Sequence, residues 1–259
     1  MLPPPRFINA FRLDRDAVPS FAEYPFSNPA VKFLDRLKLS PTVTFFIGDN
    51  GSGKSTLIEA LAVRSGFNAE GGSRNFDFAT RASHSPLHDY LVLDRCFRRK
   101  PTDGYFLRAE SFFNVASEIE RLDKEPGAGM AIGPSYGDRA LHEQSHGESF
   151  FALLTNRLTG NGLYIFDEPE AALSPQRQMS MLVLMKGLID NGSQFIIATH
   201  SPILMAYPGA LIYQITSEGI GQVAYTDTEH FRVTRDFLNR HEQMLEVLLR
   251  PFSAEDGRR

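Results

Sequence analysis

One cysteine, Cys96, stands among 259 residues, so no disulfide can form within the chain. A lone cysteine fits a reducing compartment, where it acts as a small buried hydrophobe. A basic excess is missing as well. The formal net charge is −4, which argues against a generally basic nucleic-acid coat and leaves room only for a local patch. Long apolar runs are absent: stretches such as Leu163 to Phe166 are far too short to cross a bilayer. No apolar stretch follows Met1-Leu2-Pro3-Pro4-Pro5-Arg6, as a signal peptide would require. There is no internal repeat and no heptad array, which sets solenoids and coiled-coil arms aside. The expectation is a soluble, cytoplasmic protein. What is present is an apolar content of 42% over a length suited to one large domain, or a domain with an inserted lobe.

Along the chain, Val43 to Ile47 is a β-branched and aromatic run ending at Gly48, which reads as a buried strand. A helix from Lys54 to Val63 follows, and Ser65 to Pro86 reads as a polar loop. Tyr90–Leu93 and Tyr105–Leu107 read as strands joined through the turn-like Arg98-Arg99-Lys100-Pro101-Thr102-Asp103-Gly104. Ser111–Leu122 reads as a helix and Glu125–Gly137 as a loop. From Glu148 the alternation becomes regular: a helix to about Leu158, a strand at Leu163–Phe166, a helix at Pro175–Ile189, a strand at Phe195–Ala198. Ala210–Ile215 and Gln222–Tyr225 read as further strands, and Val233–Leu249 as a helical tail. Such alternation predicts an α/β fold with a mainly parallel sheet.

Gly48-Asp49-Asn50-Gly51-Ser52-Gly53-Lys54-Ser55 satisfies G-x-x-x-x-G-K-[ST] in full. Glycines allow successive backbone N–H groups to curl around phosphates, and the following helix turns its positive end toward them. Lys54 is placed for the β- and γ-phosphates of ATP and the Ser55 hydroxyl for Mg²⁺. Asn50, Gly51, Ser52, Gly53, Lys54, Ser55 and Thr56 form the expected nucleotide-binding set. Leu163-Tyr164-Ile165-Phe166-Asp167-Glu168 is an apolar strand ending in two carboxylates. Asp167 is the candidate for the Mg²⁺ shell, and Glu168 for the base that takes a proton from the attacking water. Phe195-Ile196-Ile197-Ala198-Thr199-His200 is a second such strand, placing His200 where it can contact the γ-phosphate or that water.

Phosphate loop, strand–Asp–Glu and strand–Thr–His, in this order, resemble the ABC ATPase family. The family's signature, Leu-Ser-Gly-Gly-Gln or Leu-Ser-Gly-Gly-Glu, has its counterpart in Gln144-Ser145-His146-Gly147-Glu148, where Gln144 and His146 depart from it. The resemblance implies that Ser145 and Gly147 bind the γ-phosphate held by a partner subunit, so that hydrolysis requires an ATP-dependent head-to-tail homodimer. It also implies a Gln between loop and signature; Leu107-Arg108-Ala109-Glu110-Ser111 offers Glu110 there, which could ligate a metal-bound water. An aromatic about two dozen residues before the loop stacks the adenine in this family. Tyr24 fits, with Phe26 and Phe21 as competitors. The similarity runs from about Phe7 to Tyr225 and looks closest to stand-alone bacterial predicted ATPases related to SMC-like repair ATPases, without their coiled-coil arms.

His142-Glu143-Gln144-Ser145-His146 also satisfies H-E-x-x-H, the pattern of a zinc peptidase, with Glu168 or Glu170 as conceivable third ligand. Gly147 follows at once and is poor for a continuing zinc helix. Arg95, Arg98, Arg99 and Lys100 read as a solvated hairpin tip rather than a DNA-facing patch. The resulting expectation is a single ABC-type ATPase domain over residues 1–259. It has a mainly parallel central sheet, an antiparallel β-lobe, an inserted helical lobe at about 66–140 and a helical tail at about 227–250. Lys54, Glu168 and His200 are its catalytic residues, and Ser55, Asp167 and Glu110 its metal ligands. Its output is a conformational switch in DNA maintenance or phage defence, with nucleic acid or an effector protein as partner. A transporter's ATP-binding subunit, working with a membrane permease, is the alternative.

Overall fold

The computed structural model describes residues 7–73, 85–109, 121 and 146–250. Seven strands form the main sheet: β3 (Val43–Gly48), β4 (Gly72–Ser73), β6 (Asp103–Arg108), β7 (Gly162–Asp167), β8 (Gln194–Ala198), β9 (Leu211–Thr216) and β10 (Gly219–Gln222), ordered β10-β9-β3-β8-β7-β6-β4. The five from β9 to β6 are parallel; β10 and β4 close the edges antiparallel. A second, antiparallel sheet holds β1 (Ile8–Leu13), β2 (Leu37–Lys38) and β5 (Leu91–Arg95) in the order β2-β1-β5. The helices are α1 (Pro29–Lys32), α2 (Lys54–Arg64), α3 (His146–Asn156), α4 (Pro175–Asp190), α5 (Pro202–Met205) and α6 (Glu229–Leu248).

Parallel strands are covered on both faces and therefore read as unbroken apolar runs. Every residue of β3, β7 and β8 is buried. Val43, Phe45, Ile47, Phe166 and Ile197 face one core with Phe150 of α3 and Met181 of α4. Phe46, Phe106, Ile165 and Ile196 face the other, with Leu57 and Leu61 of α2 and Phe11 of β1. Each such aromatic or branched side chain contributes roughly 1.5–3 kcal/mol of burial.

Polar side chains join the two sheets: Tyr213 of β9 donates to Lys38 O of β2 at 3.0 Å, and Gln194 makes the larger set of bonds. Gln194, fully buried at the head of β8, accepts from the Phe7 and Ile8 N–H groups at 2.9 and 3.1 Å. Its Nε2 donates to Ile8 O at 2.9 Å and Ser40 O at 2.8 Å. A second polar knot closes the N-terminal edge of the main sheet. Tyr164 donates to Asp103 at 2.8 Å, and Arg157 and the Thr159 N–H also reach that carboxylate, each at 3.0 Å. Burial works to raise the Asp103 pKa, yet these bonds and the Arg157 charge outweigh it and hold the carboxyl below its ordinary value.

Two elements differ from the sequence reading. The segments around Leu91 and Tyr105 do not form a hairpin: β5 pairs with β1 in the small sheet, whereas β6 pairs with β7 in the large one. The basic segment Arg95–Lys100 thus leads from one sheet to the other. The strand expected at Gln222–Tyr225 ends at Gln222, and Tyr225–Asp227 is a 3-10 turn. The tail helix starts before Val233, because buried Thr228 caps it by accepting from Phe231 N–H at 3.3 Å. Within the span expected as an inserted lobe, β5 and β6 belong to the two sheets. The expected helix at Ser111–Leu122, Arg121 apart, and the loop at Glu125–Gly137 lie outside the described residues. Among the described residues no helix is long and apolar enough to cross a membrane.

Candidate active site

Parallel strands end together, so their C-terminal edge gathers whatever the sequence places there. Here β3 delivers the glycine-rich loop, β7 Asp167 and Glu168, β8 Thr199 and His200, and β6 Arg108. The register fixes their proximity: Phe46 and Asp167 both lie opposite Ala198, and Arg108 lies opposite Asp167. Short bonds weld the edge. Thr199 N–H donates to Phe46 O at 3.2 Å, and Glu168 N–H to Ala198 O at 3.0 Å.

Two glycines shape the loop. Gly48 has φ +151°, and a Cβ there would lie 2.4 Å from Ile215 O, so the end of β9 backs directly onto the loop. Gly53 has φ +92°, and its Cβ would meet Asn28 Cβ at 2.9 Å. That tight fit, with Ala30 N–H donating to Ser52 O at 3.0 Å, docks the start of α1 against the loop. Lys54 is the first residue of α2 and only 3% exposed. Its ammonium donates to Gly48 O and Asp49 O, both at 2.8 Å. Burial lowers its pKa, although Glu168, Asp167, Asp49 and Glu170 pull it back up. The Lys54 side chain thus sits at the loop's mouth in the field of four carboxylates.

Beside it opens a cavity of about 350 Å³ lined by Ser55, Arg108, Ala109, Asp167, Glu168, Ala171 and Ala172. Asp167 is buried, with Arg108 Nε 3.7 Å from its Oδ2; Arg108 also pairs with Glu59 at 2.6 Å. Glu168 adopts φ +50°, ψ +52°, a left-handed conformation that side chains rarely take, and its carboxylate lies 3.4 Å from His200 Nε2. The His200 N–H donates to Glu170 Oε1 at 2.5 Å. Burial raises the Glu170 pKa, with the His200 N–H bond acting against it. Burial also lowers the pKa of His200, as does the Lys54 charge.

Lys54, Ser55, Asp167, Glu168 and His200 therefore share one edge, with Asn50 and Gly51 exposed on the loop, Ser52 buried beneath it and Thr56 on the first turn of α2. Of the three aromatics, Tyr24 is 66% exposed, Phe26 is buried against Tyr90 with centroids 4.9 Å apart, and Phe21 receives the Arg15 guanidinium at 4.4 Å. Gly147 is the second residue of α3. Glu110 and Ser145 lie outside the described residues, as do His142, Glu143 and Gln144 of the H-E-x-x-H stretch. Among the described residues no three His, Cys, Asp or Glu side chains group to hold a metal by themselves. Sequence reasoning missed Arg108 as the cation beside Asp167, and it missed His230, whose Nε2 lies 3.1 Å from His200 Nδ1. Nothing in the local pattern marks that pair.

Two family models match the chain. Residues 107–206 match "AAA domain, putative AbiEii toxin, Type IV TA system", and residues 25–102 match "AAA domain". "Nucleoside import ATP-binding protein NupA" of Lactococcus lactis is 26% identical over 60% of this chain, which spans 32% of that protein's length. "Putative ABC transporter ATP-binding protein MTBMA_c05830" of Methanothermobacter marburgensis is 26% identical over 87% of this chain and 86% of its own length. Among solved structures, "SMC head domain from Thermotoga maritima" overlays with a TM-score of 0.46 at 18% identity, covering 84% of this chain and 99% of that one.

Proposed function

For a chain that is a P-loop ATPase with AAA-type domains and ABC ATP-binding relatives, we propose the role of an ATP-driven conformational switch hydrolysing ATP between two of its copies. The observation that carries this reading is the convergence of Lys54, Asp167, Glu168 and His200 from three neighbouring parallel strands. In this reading the loop N–H groups take the phosphates, and Lys54 exchanges its two carbonyl partners for phosphate oxygens. Tyr24, on the segment that abuts the loop, stacks the adenine.

A hydroxyl at Ser55 and a buried carboxylate at Asp167 lining one cavity fit Mg²⁺, which takes few protein ligands beside phosphate oxygens. Bound there, Mg²⁺ would neutralise phosphate charge; Glu110 would hold one of its waters. Glu168 removes a proton from the water that attacks the γ-phosphorus, while the bond to the bridging oxygen breaks and ADP leaves. His200 steadies that carboxylate and the departing phosphate. Ser145 and Gly147 act on the partner's γ-phosphate, so opening and closing of the dimer is the output. The toxin–antitoxin wording of one matching family supports a role in phage defence over DNA maintenance. A second reading, an ATP-binding subunit working with a permease in the cytoplasm, is favoured by the transporter names of the relatives; Glu110 in place of Gln and the altered signature speak against it.

Glu168→Gln tests the proposal. It retains size and most hydrogen bonding but no longer accepts a proton. Turnover should fall roughly 10²- to 10⁴-fold, the usual size of a general-base contribution, while ATP still binds and an ATP-bound dimer accumulates in light scattering. Adding Ser145→Arg should leave ATP binding intact and restore the monomer. Wild-type turnover in Glu168→Gln would remove Glu168 as base. A nucleotide-saturated Glu168→Gln protein that stays monomeric would remove the homodimer.

A further inference from the structure

We propose that His230 is a positioning residue that dictates which ring nitrogen of His200 carries the proton, and so couples α6 to the active site. The two rings are tilted against each other, centroids 5.3 Å apart and planes at 52°, with His200 Nδ1 3.1 Å from His230 Nε2. Only one proton can occupy that gap. On its other side, His200 presents Nε2 to Glu168 Oε1 at 3.4 Å.

Burial lowers the pKa of both imidazoles, and the Lys54 ammonium lowers both further. Glu168 opposes this at His200, and Glu229 with Asp49 at His230. Two neutral rings carry one N–H each, and only two of their four tautomer pairs place a single proton in the 3.1 Å gap. If His200 Nδ1–H donates to His230, then a bare Nε2 lone pair faces the Glu168 carboxylate, which is repulsive. If His230 Nε2–H donates, the His200 proton sits on Nε2, the nitrogen 3.4 Å from that carboxylate, which is attractive even though the pair is not aligned as a hydrogen bond. The second arrangement wins. It leaves His200 an N–H donor at the nucleotide edge, where an anionic phosphate oxygen requires a donor. A partner that selects the tautomer of an active histidine is a recurrent device.

The same bond ties down α6. His230 is the second residue of α6, just beyond its Thr228 cap, and Tyr225 packs on Phe231 with centroids 4.7 Å apart. Beyond this base the helix buries no residue, exposes Val233, Leu238, Val247 and Leu248, and bends at Arg240. A shift of α6 would carry the His230 ring away from His200 and release the tautomer.

This inference rests on the proposed role of His200 in hydrolysis, but one of its readouts does not. Long-range ¹H–¹⁵N spectra of the full chain should show His200 protonated at Nε2 and bare at Nδ1. In His230→Phe the His200 signals should become a mixture of tautomers, and kcat should fall about 10- to 100-fold, the range for lost orienting partners, with KM for ATP unchanged. His230→Gln, whose amide N–H can donate, should restore the Nε2–H form and most of kcat. His230→Glu, which can only accept, should force the proton to Nδ1 and stay slow. An unchanged melting temperature in the Gln and Glu pair separates this from a folding defect. Unaltered His200 spectra in His230→Phe, or equal kcat in the Gln and Glu variants, would overturn the proposal. Wild-type turnover in His200→Ala would instead sink the hydrolytic role of His200 itself, whatever the spectra show.

Discussion

Lys54→Ala should bind ATP at least 100-fold more weakly than the unsubstituted chain, about 2.8 kcal/mol at roughly 1.4 per tenfold. Two effects act in one direction. The substitution deletes the ammonium at the mouth of the loop, and it leaves Asp49, Asp167, Glu168 and Glu170, whose fields all act on that ammonium, facing an anionic ligand with Arg108 beside Asp167 to offset them. Lys54→Arg should not rescue binding, because a planar guanidinium needs more room than the slot between Gly48 O and Asp49 O gives an ammonium. Titration calorimetry without turnover, in the Glu168→Gln background, reads the affinity directly. Near-normal affinity in the alanine variant would mean the phosphates lie elsewhere.

Gln194→Met should cost the fold more than any other single exchange of similar shape, about 3–5 kcal/mol. Methionine nearly matches the side chain in volume, so packing is preserved and only the amide is lost. The Phe7 and Ile8 N–H groups and the Ile8 carbonyl then lose their partner in a buried junction, and the Ser40 carbonyl loses its own at the part-buried margin. An unsatisfied buried polar group costs about 1–3 kcal/mol, and at this chain length the melting temperature should drop by roughly 10 °C. The loss should appear as detachment of the small sheet before the large one melts. A melting point within about 2 °C of the original, where surface exchanges usually fall, would show that the Gln194 bonds do not hold the junction.

The parts of the fold legible from sequence are those whose signal is local. Val43–Gly48 and Leu163–Asp167 stand out because burial on both faces demands unbroken apolar residues, and their exits carry glycine or carboxylates. Lys54, Ser55, Asp167, Glu168 and His200 were legible through chain order, since parallel strands bring their ends to one edge. Pairing is not a local property. Tyr105–Leu107 read as half of a hairpin with Tyr90–Leu93, although the strand that contains it, Asp103–Arg108, pairs with Gly162–Asp167, far along the chain. His230 was illegible for the same reason: the turn around Tyr225 and the cap at Thr228 return it to His200. The start of α6 was legible in principle, because Thr228 followed by Glu229 and an amphipathic run is a helix-entry signal.

The topology also sets a timetable for synthesis. The interior strand β3 carries the phosphate loop, yet its neighbours β8 and β9 begin about 150 and 170 residues downstream, at Gln194 and Leu211. Elongating at about 5–20 residues per second, a ribosome needs roughly 8–35 s to deliver them. Until β8 emerges, Val43-Thr44-Phe45-Phe46-Ile47, destined for complete burial, has both hydrogen-bonding flanks open, and one stays open until β9. Its chief hazard is pairing with another nascent chain. One flank closes with β8, which leads to Thr199 and His200, and the other only with β9, so the nucleotide edge is assembled before the strand behind it is fully protected.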